Sequence, residues 1–95
     1  MTKSLDYHEH LIQSLQDPEE ALAYLNAALE AGDLRMFLVA VRNVAEAGVR
    51  TSVRKRRAAS LAKELARKGS LSIGRVEELL SLLGFRLTVG FKDAA

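Results

Sequence analysis

The sequence predicts a small all-α domain, and three observations carry that expectation. Ala and Leu are abundant while aromatic residues make up only 5% of the chain, a composition that favours helix over sheet. Apolar residues recur at three- and four-residue spacing through most of the length. Capping and stop signals cut this pattern into five segments, so five to six helices are expected. With 95 residues there is room for one domain and one core, burying about two thirds of the surface that the unfolded chain exposes. There is no cysteine, so packing rather than disulfides or thiolate-bound metal must hold the fold.

Residues 7–15 form the first expected helix, with Tyr7, Leu11, Ile12 and Leu15 along one stripe. Asp17-Pro18-Glu19-Glu20 starts the second: Asp17 caps, Pro18 takes the first helical position, and Glu20 closes a capping box. Leu22, Leu25 and Leu29 mark its buried stripe, and Gly32 offers the left-handed residue that ends it. Asp33 caps a third helix over residues 34–47. Phe37, Leu38, Ala40, Val41, Val44 and Ala45 make it apolar on most sides, so it belongs at the centre of the core, and Gly48 stops it.

The stretch that organises the rest is VRTSVRKRRAASLAKELARKG, residues 49–69. Taken as one helix over residues 52–68, it places Ala58, Leu61, Ala62 and Leu65 on one side and Arg56, Ser60, Lys63 and Arg67 on the other. Residues 54–68 hold seven basic groups and one acidic group, a charge of +6 in a chain whose total is +2. Residues 1–50 hold four basic and eight acidic groups (net −4), and residues 51–95 hold ten and four (net +6). The protein therefore has two electrostatic ends, and the basic end suits a polyanion.

Ser72 caps a last helix over residues 73–83, buried through Ile73, Val76, Leu79, Leu80 and Leu83 and ended by Gly84. The period then changes. Phe85, Leu87, Val89 and Phe91 alternate with Arg86, Thr88, Gly90 and Lys92, the pattern of a half-buried strand. No second strand pattern exists to pair with it, so it is expected either as an extended tail on the core or paired across the twofold axis of a homodimer.

The run YHEHLIQSLQDPEEALAYLNAALEAGD (residues 7–33), continued by FLVAVRNVAEA (37–47) and closed by LLSLLGFRLTV (79–89), resembles the addiction-module antidote proteins, small HigA-like antitoxins. Asp17, Pro18, Tyr24, Leu25, Asn26, Ala27, Gly32 and Asp33 stand at that family's spacing. The resemblance implies a lambda-repressor-like helix-turn-helix domain that binds double-stranded operator DNA and neutralises a cognate RelE/HigB-like ribonuclease toxin. Between Gly48 and Leu61 this chain departs from the family: RKRRAAS stands where the turn carrying Thr-Gly-Leu is normally found. Three arrangements follow. The turn survives with Ser60 capping a recognition helix, residues 52–68 fuse into one helix, or the bihelical unit shifts to residues 60–68 and 73–83.

Four consecutive cations, Arg54, Lys55, Arg56 and Arg57, repel one another within a turn, which a purely solvated face gives no reason to assemble. They are read as phosphate contacts. Ser60, Lys63 and Arg67 share a face that reaches base edges, Lys68 joins them as the eighth expected DNA-binding residue while also complementing a helix C-terminus, and Arg50 and Arg75 flank the patch. His8 and His10 point apart on a helix and do not form a metal pair. Tyr7 and Tyr24 are assigned to the core or its edge. No stacking aromatic lies between Thr51 and Gly84, and no catalytic triad, cofactor motif or phosphate loop is present. A cytoplasmic, non-enzymatic, homodimeric DNA-binding regulator is the expectation, against a toxin-binding module with a degenerate helix-turn-helix and little DNA affinity. An RNA-binding accessory role has only the basic patch in its favour.

Overall fold

The computed structural model describes residues 3–48 and 52–92, so Arg50 lies outside the described residues. Five helices follow one another: α1 (Lys3–Ser14), α2 (Pro18–Ala31), α3 (Leu34–Glu46), α4 (Val53–Lys68) and α5 (Ile73–Leu82). The all-α architecture holds. Among the described residues there is no strand, and no helix is long and apolar enough to cross a membrane.

α3 is the hub. It packs against α1, α2 and, most extensively, α4, while α5 packs on α4. Phe37, Leu38, Ala40, Val41, Val44 and Ala45 are all buried, as a helix covered on several sides requires. α4, whose packing on α3 is the most extensive between any two helices, holds Ala58 and Ala62 wholly inaccessible, short side chains that permit close approach of helix backbones. No polar or charged side chain is buried among the described residues, so the core is held by apolar packing without a desolvation penalty to offset. At its edges, Asn43 Nδ2 donates to Tyr24 Oη at 2.9 Å, tying α3 to α2, and His8 Nε2 lies 3.3 Å from Glu46 Oε2, tying α1 to α3.

The helix boundaries follow from the caps. Asp17 accepts from the Glu19 backbone N–H at 2.9 Å, and Asp33 accepts from Arg35 and Met36. Ser52 accepts from the Lys55 N–H at 3.1 Å and Ser72 from that of Arg75 at 3.2 Å. Gly32 and Gly69 end α2 and α4 at φ 71° and 72°, where a Cβ would be strained.

Several sequence expectations need correction. Glu20 closes no capping box, because the Asp17 N–H is already given to the Ser14 carbonyl at 3.1 Å. Tyr7 is 70% exposed rather than at the core edge. In α2 the buried arc runs through Ala21, Tyr24, Leu25 and Ala28, which rolls Leu22 and Leu29 outward to 46% and 38% exposure. Ile73 stands on the first turn of α5, beyond the reach of the neighbouring helices, and is exposed. The strand expected from residue 85 onward does not form within the chain: Phe85 and Leu87 pack against the core as an extended tail would, but Val89 and Phe91 are fully exposed.

Candidate nucleic-acid interface

The basic stretch is one uninterrupted helix. Ser52 rather than Ser60 caps it, so the family's turn is absent from this stretch and Ser60 sits mid-helix on the surface. With Ala58, Ala62 and Leu65 buried and Leu61 half-buried, the geometry of a 3.6-residue period sends Arg56, Ser60, Lys63 and Arg67 to the opposite side, with Arg57 beside them.

The eight sequence-selected residues divide into two groups. Arg56, Arg57, Ser60, Lys63 and Arg67 are exposed and make no side-chain hydrogen bond or ion pair among the described residues. Arg54, Lys55 and Lys68 have other engagements. Arg54 Nη2 donates to the Ser81 carbonyl at 2.9 Å, an oxygen at the C-terminal end of α5 that also accepts from the Gly84 N–H at 3.0 Å. The half-buried Lys55 side chain folds back over Gly48, where a Cβ would lie 2.9 Å from its Nζ; this sets its ammonium beside the C-terminal end of α3. Lys68 Nζ lies 3.7 Å from Glu64 Oε2, an exposed i,i+4 pair worth little in water. Arg75, expected to flank the patch, is paired with Glu78 at 2.7 Å.

The roles of Arg54 and Lys55 were not visible in the sequence, because each depends on where a distant helix end comes to lie. What remains is a ridge of four unpaired cations, Arg56, Arg57, Lys63 and Arg67, extending about 16 Å along the helix axis. Neighbouring charges along it fall within about one Debye length, so their fields add. The acidic half does not cover it. Asp17 and Asp33 are engaged in capping, Glu46 faces His8, and no N-terminal carboxylate pairs with an α4 cation among the described residues.

No family model, curated protein or solved structure matches the chain. α5, the other candidate for a groove-entering helix, carries Arg75, Glu77 and Glu78 on its exposed side, with the arginine already neutralised. Those three side chains sum to −1, whereas the exposed side of α4 is strongly cationic. The four-residue link at 69–72 has the length of a helix-turn-helix turn, but the helix it presents is the acidic one.

Proposed function

We propose that the protein is a DNA-binding antitoxin that regulates its own promoter, setting the outer face of α4 against operator DNA as a homodimer and neutralising a RelE/HigB-like toxin. One observation carries the DNA part: Arg56, Arg57, Lys63 and Arg67 emerge together, exposed and unpaired, above a face closed by Ala58, Ala62 and Leu65. Arg56 and Arg57 serve as phosphate contacts that fix orientation, while Ser60, Lys63 and Arg67 lie along the line that reaches base edges. The antitoxin part rests on the resemblance over residues 17–33. In a dimer, two such helices read half-sites about 34 Å apart.

The test is binding to the DNA upstream of the gene, measured by anisotropy across a salt series. The two phosphate contacts of Arg56 and Arg57 give a log–log slope of roughly −1.8 per bound protomer, and a slope steepened toward roughly −3.6 would mean that Lys63 and Arg67 neutralise phosphate as well. A flat dependence, or no retardation at physiological salt, removes the DNA reading. The continuity of α4 favours one second reading, a toxin-binding module in which the helix-turn-helix has been lost. Stable co-purification with a small ribonuclease, together with absent DNA binding, would select it.

A further inference from the structure

Beside the C-terminal tail lies an open apolar groove of about 790 Å³, bounded on one side by Leu22, Leu25 and Leu29 of α2 and on the other by Leu80, Phe85 and Leu87. It is as large as pockets that take small ligands. Immediately after it, the same chain holds Val89 and Phe91 out in solvent at 98% and 107% exposure. From Arg86 to Lys92 no backbone N–H or carbonyl has a hydrogen-bond partner among the described residues. The tail thus carries an alternating pattern, an unused ladder of donors and acceptors, and two large apolar side chains with nothing beneath them.

We infer that the groove is filled by the tail of a second copy of this chain, the two tails pairing antiparallel about a twofold axis at Thr88. The register follows from the sequence of the tail itself. With Thr88 opposite its equivalent, Phe85 faces the partner's Phe91 and Leu87 faces the partner's Val89, so an aromatic pair and an aliphatic pair form on the face turned toward the groove. On the other face Arg86 falls opposite the partner's Gly90, and Lys92 opposite the partner's Gly84, so no cation meets a cation. Centring the pair on Val89 instead would set Arg86 against the partner's Lys92 and cost like-charge repulsion. Each strand then lies between α2 and the tail of its partner, covering Leu22 and Leu29. A second copy is the favoured occupant because one segment supplies both halves of the complementarity, in a register its own charges permit.

This inference deepens the homodimer of the preceding reading and is independent of its DNA part. The test starts from the mass of the full chain in solution, which should be twice 10.4 kDa. Val89→Arg with Phe91→Arg should return it to the single-chain mass while leaving helix content unchanged, since neither side chain touches the core. The absence of cysteine makes the register directly testable. Thr88→Cys should form an intermolecular disulfide rapidly on mild oxidation, and Leu87→Cys and Val89→Cys more slowly, because only the residue on the axis meets its own copy at bridging distance. A monomer at high concentration, a dimer that survives the double arginine variant, or fastest crosslinking at position 87 or 89 would overturn the proposal. DNA retardation by a monomer would leave the DNA reading standing without this one, and a dimer that ignores DNA would do the reverse.

Discussion

α2 and α4 are built alike and face the solvent oppositely. They have 14 and 16 residues, each begins at a side-chain cap, each ends at a left-handed glycine, and both pack on α3 with little contact between them. α4 buries two alanines and Leu65, keeps Leu61 half-covered, and turns out cations. α2 buries Ala21 and Leu25, leaves Leu22 and Leu29 only partly covered, and carries Glu19, Glu20 and Glu30 on its surface. The outer face of α4 is complete as a soluble surface and suited to a polyanion. That of α2 exposes apolar area that association would remove from water. One protein can hold two such surfaces because α2 and α4 each pack on α3 and have little contact with each other.

The largest effect should come from removing what α4 rests on. Leu65→Ala empties a buried position and should cost about 2–5 kcal/mol, lowering Tm on the order of 10–30 °C in a thermal melt. Leu29→Ser, half-covered on the outer side of α2, should cost the monomer clearly less, about 1 kcal/mol. A comparable loss at both sites would erase the distinction between the helices.

Next comes charge. Arg56→Glu with Arg57→Glu should weaken DNA binding by about 30-fold or more at physiological salt, since each lost phosphate contact is worth several-fold there. The melting temperature should not fall, and should rise slightly as the repulsion between neighbouring cations is removed. Reversing Glu19 and Glu20 to Lys should not weaken DNA binding, as α2 does not share the ridge.

Smaller effects test the caps. Ser52→Ala and Asp17→Ala should each cost about 1 kcal/mol, seen as a shift in denaturant midpoint at constant slope. The smallest effect has the most informative sign. Arg56→Gln with Arg57→Gln should raise stability by a few tenths of a kcal/mol, because the two cations repel each other and their neighbours. A fall in stability would mean these arginines hold the fold together and are not kept for a partner.

Local chemistry determined much of this protein in advance. Asp17, Asp33, Ser52 and Ser72 start helices because their side chains reach N–H groups two or three residues on, and Gly32 and Gly69 end them because left-handed backbone disfavours a Cβ. All these interactions lie within one turn, so sequence spacing reveals them. The central place of α3 and the basic outer face of α4 are legible for the same reason, each being a property of one helix's periodicity.

Tertiary structure decided whatever depended on a second element. Which leucines of α2 are covered depends on how far the helix rolls against α3. That Arg54 reaches the Ser81 carbonyl and Lys55 lies over Gly48 depends on where the ends of α5 and α3 arrive; with Lys68 paired to Glu64 inside α4 itself, five of the eight chosen side chains are left free. A strand pattern at residues 85–92 states which face is apolar, but a ladder of backbone hydrogen bonds requires another strand, and the described residues of one copy supply none.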